Sequence, residues 1–178
     1  MKKPNDIVLA GRKNTLLIIK EEMGIETIKS PSFFLKLLSS KGTLLVTKCT
    51  SNKFNIKQGT PKQLYTTFGK GDFDRMVNFC EKNELRYGVL SGKGKGLLFD
   101  NEIIPYYDQN PDKYEDEEYL DVNQIIKNKA SDRNIDTLII YGSSPLRQIR
   151  PFRWAYLSGL KIYYISKLFR IKNTLNLI

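Results

Sequence analysis

The sequence predicts an α/β protein in which a mostly parallel central sheet is covered by helices on both faces, as a three-layer sandwich. From Thr43 onward, apolar strand-like runs alternate with stretches of helical periodicity, an order that implies parallel strands. Several of those runs end abruptly in small, polar and lysine residues. The chain of 178 residues contains no repeat and no Gly/Ser-rich linker, so residues 1–178 are predicted to form a single domain.

Residues 1–42 are predicted to form a small β-rich appendage to the core sheet, which spans residues 43–165. Their short β-like runs are IVLA, TLLIIK and IETIK. Ser30 followed by Pro31 predicts a helix start. The buried side of that helix is predicted from the apolar residues that follow, which are Phe33, Phe34, Leu37 and Leu38.

The first half of the core sheet is predicted from two strands and one helix. TLLVTKC, beginning at Thr43, predicts a buried strand, and RYGVLS, beginning at Arg86, predicts the next. Between them, Asp72 predicts the cap of a helix. Apolar residues recur in this helix at i, i+3, i+4 and i+7 and predict its buried side, namely Phe73, Met76, Val77 and Cys80. GLLFDNEIIPYYD, after the second strand, predicts β-like or irregular structure.

The second half begins with the acidic run DKYEDEEYLD, which suits the first turn of a helix because of the helix dipole. The predicted inward residues of this helix are Leu120, Val122, Ile125 and Ile126. TLIIYGSS at residues 137–144 predicts a strand, and Pro145 after it a helix start. Pro151 predicts that the helix either kinks there or begins afresh. LKIYYIS predicts the last strand, and residues 166–178 a terminal amphipathic helix through Leu168, Ile171, Leu175 and Ile178.

The residue types exclude several kinds of chemistry. The chain has no histidine and only two cysteines, Cys49 and Cys80, which excludes a Ser-His-Asp or Cys-His nucleophile system. Neither a metal site nor a cofactor is predicted, because zinc sites require more Cys and His ligands. No apolar run approaches the roughly 20 residues that span a bilayer, and the first residues lack a signal-peptide pattern. We therefore expect a cytoplasmic protein with reduced thiols that does not contact a membrane.

The formal net charge of +10 predicts attraction to nucleic acids. After Asp136 the chain contains no acidic residue. The predicted nucleic-acid contacts there are Arg147, Arg150, Arg153, Lys167 and Arg170. Aromatic residues lie between these cations, so rings and guanidinium groups could both face a nucleic acid. The alternative, which the sequence leaves open, is that the rings are core and the charges solvate outer faces.

Three strand ends predict a site for an anionic ligand, since the carboxyl ends of parallel strands meet at one edge of a sheet. Lys53 follows the first strand, a segment with three glycines, at residues 92–96, follows the second, and residues 142–144 follow the third. Glycines allow backbone amides to approach an anion, and lysines neutralise it, although a tight strand connection would also explain the segment. The predicted phosphate contacts are Lys53, Lys93 and Lys95, and the predicted orienting hydroxyls are Ser51 and Ser91.

Reaction chemistry at a nucleoside needs a carboxylate and a ring that stacks on the base. Asp108 is the candidate acid–base or electrostatic group, and Tyr65 or Tyr106 the candidate stacking ring. A turn in which Asp108 bonds its own backbone is the alternative. Cys49, beside lysines, is a candidate nucleophile, although a small, unreactive core cysteine is the commoner role. Cys80 is predicted to be core.

Four segments resemble a group of Rossmann-like proteins, distantly similar to the YaaA peroxide-stress proteins and to domains of archaeosine synthases and other enzymes of deazaguanine metabolism. These segments are LLVTKCTSNK, PKQLYTTF, LRYGVLSGKGKGLL and EIIPYYD. The motif positions are Cys49 with Lys53, Leu64 with Tyr65, Leu90–Leu98 and Pro105–Asp108. Two departures are Gly92, where the group has alanine, and an extra tyrosine before Asp108. The resemblance implies a Rossmann-like sheet and a link to nucleic acids or modified bases.

The sequence therefore predicts a nucleic-acid- or nucleotide-binding protein that acts on a nucleobase or nucleoside in a glycosidase- or transferase-like way. Two alternatives stay open. One is a non-catalytic DNA- or RNA-binding accessory or viral protein, and the other is a module that binds an acidic protein partner. The sequence does not choose between enzyme and binder, between DNA and RNA, or between oligomeric states.

Overall fold

The computed structural model describes residues 11–50, 53–65, 69–91, 95–106 and 119–169. These residues form six α-helices and one short 3₁₀ helix, Pro145–Gln148. The α-helices are α1 (Gly11–Met23), α2 (Pro31–Leu38), α3 (Pro61–Leu64), α4 (Asp72–Lys82), α5 (Tyr119–Asp132) and α6 (Ile149–Leu157). The strands are β1 (Glu26–Thr27), β2 (Thr43–Lys48), β3 (Gln58–Gly59), β4 (Tyr87–Ser91), β5 (Gly96–Phe99), β6 (Ile104–Pro105), β7 (Thr137–Tyr141) and β8 (Lys161–Ile165).

Six of the strands form one sheet in the order β1-β8-β7-β2-β4-β5. Neighbours are parallel except β4 and β5, which are antiparallel and bring Ser91 opposite Gly96. β3 and β6 pair in a separate antiparallel ribbon. The prediction of an α/β protein with a mostly parallel central sheet is therefore confirmed. No helix among the described residues is long and apolar enough to cross a membrane.

The core strands are apolar on both sides, and their alternating side chains divide the core into two clusters. In β2, Leu44 and Val46 belong to the first cluster, whereas Leu45 belongs to the second. β7 repeats this pattern, with Ile140 in the first cluster and Ile139 in the second. Successive residues of a strand point to opposite faces, so each cluster fills one face of the sheet. This two-sided burial is the reason why the strands are continuous apolar runs.

Helices cover both clusters. The buried side chains of α1, α5 and α6 lie in the first cluster, and those of α2, α3 and α4 lie in the second. The predicted buried side of α4 is confirmed, because Phe73, Met76, Val77 and Cys80 are all buried. Val122 and Ile126 of α5 are also buried as predicted.

The described part of residues 1–42 differs from the prediction. TLLIIK was predicted to be β-like but lies within α1, because Ile18, Ile19 and Met23 form a stripe that packs into the first cluster. Packing of an apolar helix face overrides the β preference of single residues. Glu26–Thr27, within IETIK, is a strand and pairs with β8 at the edge of the main sheet. IVLA lies outside the described residues.

The first two predicted helix starts differ in outcome. Ser30 caps α2 as predicted, since its side chain accepts a bond from the Phe33 amide. Phe34 is buried in α2, whereas Phe33 is 37% exposed and lies at the rim of the core. Asp72 does not cap α4: Gly71 holds the cap position and Asp72 is the first helical residue.

The segment after β7 follows the prediction in part. Pro145 begins the 3₁₀ helix, and α6 follows directly from Ile149. Pro151 therefore lies in the first turn of α6, where its missing amide hydrogen removes no helical bond. The terminal helix predicted for residues 166–178 is wrong for residues 166–169, which are not helical although Leu168 packs against the second cluster, and residues 170–178 lie outside the described residues.

Replacement of Gly96 should destabilise the fold through both strain and crowding. Gly96 has φ +61°, and an added Cβ would lie 2.7 Å from Ile125 Cγ2 in α5. Gly24 is a matched control, because its φ is +64° and an added Cβ would have no neighbour within 4 Å. We expect Gly96→Ala to lower the free energy of unfolding by about 1–3 kcal/mol more than Gly24→Ala, measured by urea denaturation. Equal losses would contradict the packing of α5 on β5.

Candidate functional site

The chain leaves β2 and β7 towards opposite faces of the sheet. β2 leads to α4 on the face of the second cluster, and β7 leads to α6 on the face of the first. The regular pairing of the two strands ends at Val46 and Ile140. Beyond it, the buried Thr47 hydroxyl donates to the Tyr141 carbonyl oxygen at 2.8 Å. Open α/β sheets bind ligands outside such a switch point, so we take this place as the candidate site.

Asp72 and Ser143 connect the two sides of the switch point. Asp72 Oδ2 accepts hydrogen bonds from the Ser143 amide at 3.0 Å and from the Ser143 hydroxyl at 3.1 Å. The other carboxylate oxygen, Oδ1, is buried and has no hydrogen-bond partner in the part of the chain that the structure describes. A buried acceptor without a donor is costly. A hydroxyl or N–H group that reached Oδ1 would supply the missing donor.

Sequence reasoning assigned Asp72 only a structural role. Its place at a helix start was sufficient to explain it, and its partner Ser143 lies 71 positions away. The polar segment after β7 is the one sequence feature that indicated this place, because it follows a predicted strand at this edge of the sheet.

Tyr141 supplies a phenol next to Asp72. Its side chain is buried, and burial raises the pKa of the phenol above its ordinary value. The negative charge of Asp72 raises this pKa further, while the charge and hydrogen bond of Arg75 oppose the shift. Tyr141 therefore remains protonated at neutral pH and acts as a neutral polar group.

Cys49 and Lys53 follow β2 in the chain, and Lys53 pairs with Tyr65. The Cys49 amide donates to the Leu90 carbonyl oxygen at 2.9 Å and so extends the pairing with β4. Lys53 and Tyr65 form an antiparallel bridge, and the Lys53 ammonium lies 5.8 Å from the centre of the Tyr65 ring. Tyr65 is only 1% exposed and meets Phe73 edge-on at 5.6 Å. Its ring supports the site from the core, so a base could not stack on it without repacking.

The remaining predicted ligand contacts are placed only in part. Ser91 ends β4 and is 1% exposed, and Lys95 is half-buried immediately before β5. Tyr106 is 39% exposed and therefore has an accessible ring, unlike Tyr65. The predicted site residues that lie outside the described residues are Ser51, Lys93, Asp108 and Arg170.

The basic segment after Asp136 exposes more of its charged side chains than of its rings. Arg147 and Lys167 are exposed, and Arg150 and Arg153 are half-buried. Most of the rings between them are buried, namely Tyr141, Phe152, Trp154, Tyr163 and Tyr164. The core interpretation is therefore confirmed for these five rings, whereas Tyr156 is 40% exposed and Phe169 is half-buried.

The two thiols are buried. Cys80 is core, as predicted, and burial raises the pKa of its thiol to about 12, with smaller contributions from the charges of Asp100 and Glu81. Cys49 is 3% exposed. A thiol needs thiolate character and access to act as a nucleophile, and Cys49 lacks the access. The described residues also contain no cluster of three Cys, His, Asp or Glu side chains that could hold a metal.

The fold and the site define an α/β protein with a polar switch point at the carboxyl edge of its sheet. The chain matches no protein-family model, and no curated protein or solved structure is similar to it. What the protein does is therefore inferred from its own residues.

The link between Asp72 and Ser143 should be measurable as a coupling energy. We expect the double-mutant cycle of Asp72→Ala and Ser143→Ala to give a coupling of about 1–2 kcal/mol in urea denaturation, because the serine hydroxyl loses a charged acceptor. Ser39→Ala is the control, since its hydroxyl bonds only to the Lys36 carbonyl of its own helix. Asp72→Ala with Ser39→Ala should be additive within about 0.5 kcal/mol. Additivity of the first pair would contradict the bridge.

The pKa of Tyr141 should report the charge of Asp72. Removal of that charge by Asp72→Asn should lower the Tyr141 pKa towards its ordinary value, which alkaline titration of ¹³C-labelled tyrosine would measure. The exposed Asp132→Asn should leave it unchanged. Because the folded pKa is raised, the neutral phenol contributes stability that is complete below the unfolded pKa of about 10 and is lost as pH rises through the folded pKa. A Tyr141 pKa that is insensitive to Asp72→Asn would contradict the assignment.

Proposed function

We propose that the protein binds a nucleotide-like ligand at the switch point between β2 and β7. The observation that carries this proposal is the half-satisfied carboxylate of Asp72, whose Oδ2 is held by Ser143 while its Oδ1 is buried without a donor among the described residues. Such an acceptor suits ribose hydroxyls and base amino groups, which are hydrogen-bond donors. Nucleotides also carry phosphate, which a protein of net charge +10 attracts.

The lysines provide the proposed phosphate contacts. Lys53 lies beyond the end of β2, and Lys95 lies at the turn between β4 and β5, so both belong to the carboxyl edge of the sheet. Lys93 is proposed as a third contact on its sequence position alone. With phosphate at the lysines and a sugar or base at Asp72, the ligand would lie across the ends of β2 and β4.

A reaction at the nucleobase or nucleoside is the finer part of this proposal. The carboxylate that it requires is Asp108 by the sequence argument or Asp72 by its position, and Cys49 is disfavoured because its thiol is buried. A Rossmann-like fold and membership of the family whose motifs the chain resembles belong to the same proposal. Of the motif residues, Lys53 pairs with Tyr65, and Cys49 belongs to the same core cluster as Tyr65, which supports a shared role.

A non-catalytic nucleic-acid-binding protein is the second candidate. Its support is the exposure of Arg147 and Lys167 in a segment without acidic residues. A test for turnover on oligonucleotides and nucleosides separates the two candidates. An enzyme would lose turnover in Asp108→Asn or Asp72→Asn while its nucleic-acid binding persists, whereas a binder has no turnover to lose.

Ligand binding at Asp72 should depend on the chemistry of a single atom. Asp72→Asn keeps an oxygen that Ser143 can donate to, but replaces the other oxygen by an NH₂ group, which repels a donor. We expect a loss of about 10- to 100-fold in affinity for nucleoside monophosphates by isothermal titration calorimetry. Asp132→Asn, an exposed change in α5, should bind as the native chain does. Absence of binding to nucleotides and nucleosides alike, or unchanged binding by Asp72→Asn, would refute the proposed function.

A further inference from the structure

The ribbon of β3 and β6 carries a concentration of exposed apolar side chains. Phe54 is 48% exposed, Ile56 36%, Ile103 59% and Tyr106 39%. We call these four residues the ribbon patch. They lie within two short segments, residues 54–59 and 103–106, whereas the other large exposed apolar residues of the described chain are scattered over α1, α2 and α6. Concentrated exposure of this kind marks a binding surface.

Backbone hydrogen bonds fix the segments that carry the ribbon patch. Gln58 and Gly59 pair with Pro105 and Ile104, and the Tyr106 amide donates to the Lys57 carbonyl oxygen at 2.9 Å. The Phe54 amide donates to the Leu64 carbonyl oxygen at 2.8 Å. The backbone that carries the exposed rings is therefore already ordered, which reduces the conformational entropy that the protein loses on binding a ligand.

The charge around the patch is positive. Residues 53–65 contain three lysines, at positions 53, 57 and 62, and no acidic residue. Lys62 is paired with Glu81, so Lys53 and Lys57 supply the excess positive charge. The two described carboxylates that precede residues 103–106 are also paired, Asp100 with Arg86 and Glu102 with Lys129, and Asp108 lies outside the described residues. Exposed rings among lysines have the chemistry that binds single-stranded nucleic acid, in which bases stack on rings and phosphates meet cations.

We propose that the ribbon patch binds single-stranded nucleic acid, with bases stacked on Phe54 and Tyr106 and the backbone near Lys57. This inference rests on the proposed function and extends it from a nucleotide to a polymer. The patch adjoins the switch-point site, because Lys53 and Tyr65 form a bridge next to it and Tyr65 packs on Phe73, the neighbour of Asp72. A strand lying on the ribbon could thus deliver one nucleotide to Asp72.

Two other occupants are disfavoured by charge and by exposure. A second copy of the chain would bring a like net charge of +10 against a lysine-rich surface, which opposes self-association. The basic segment after Asp136 offers less stacking surface, because Phe152 and Trp154 are fully buried and Tyr156 is its one ring, among the described residues, that is more than a third exposed. The ribbon patch instead combines two accessible rings, Phe54 and Tyr106, with the exposed Lys57.

The test compares two pairs of exposed residues by fluorescence anisotropy with labelled 12-nucleotide single strands of thymidine and uridine. Phe54→Ala with Tyr106→Ala removes the proposed rings. Tyr156→Ala with Leu157→Ala is the matched control, since Tyr156 is 40% and Leu157 42% exposed. We expect the ribbon variant to bind at least about tenfold more weakly than the native chain, with an unchanged salt dependence, and the control to bind as the native chain does.

Further variants separate stacking from other contacts. Phe54→Leu with Tyr106→Leu keeps the apolar bulk but not the rings, so it should lose nearly as much affinity as the alanine variant. Lys57→Ala should reduce the slope of log affinity against log salt by about 0.7, the share of one phosphate contact on a single strand. Thermal unfolding followed by circular dichroism should give the native midpoint for all variants, because the substituted side chains are exposed.

The outcomes distinguish this inference from the proposed function. If mononucleotides bind but single strands bind no better, or if the ribbon variant binds strands like the native chain, the ribbon proposal fails while the site at Asp72 stands. A dimer in sedimentation that the ribbon variant abolishes would also overturn it, in favour of a second copy. Retained strand binding in Asp72→Asn, together with its loss in the ribbon variant, supports two adjacent surfaces.

Discussion

Two-sided burial of the central strands is the constraint on which the rest of the structure depends. Because β2 and β7 must cover both faces with apolar side chains, each needs helices above and below the sheet. The chain therefore continues from β2 to one face of the sheet and from β7 to the other. The pairing between β2 and β7 ends where the two strands diverge. The buried Thr47 hydroxyl satisfies the Tyr141 carbonyl oxygen at that point. The switch point, and the polar groups gathered around it, follow from the way in which the core is filled.

The polar groups at the switch point are placed by distant parts of the chain. Asp72 is fixed as the first residue of α4 by the packing of that helix, and Ser143 is fixed by the end of β7. Their hydrogen bonds fill one oxygen of the carboxylate and leave the other directed at no described donor. A structural role alone would favour satisfying both oxygens, since a buried unmet acceptor lowers stability. Among the described residues, the incomplete satisfaction of Asp72 therefore distinguishes this edge of the sheet from an ordinary turn.

The sequence predicted what depends on local periodicity and missed what depends on tertiary contact. The strands from Thr43 and Thr137 and the buried side of α4 are visible as patterns, because continuous apolar runs and i, i+3, i+4 spacing have few alternative structures. TLLIIK was misjudged because its isoleucines favour a strand locally, whereas the helix they form is stabilised by packing on the sheet. The bridge between Asp72 and Ser143 could not be predicted, since no local rule relates two residues so far apart. The exposed rings of the ribbon patch carried no signal either, because exposure is a property of the folded chain.

The pairing of β1 with β8 has a consequence for how the molecule folds. Glu26 and Thr27 pair with Tyr163 and Tyr164, so one edge of the sheet joins segments from almost opposite ends of the described chain. The entropy of closing so large a loop must be overcome before those two residues gain any contact. During synthesis, α1 and β1 leave the ribosome before β8, so β1 lacks its partner strand for most of translation. The isoleucines of α1 stay exposed until the rest of the first cluster has formed. The first strand to be synthesised thus pairs with the last one. Until β8 is made, a partial core in the nascent chain would depend on the interior strands β2, β4 and β7.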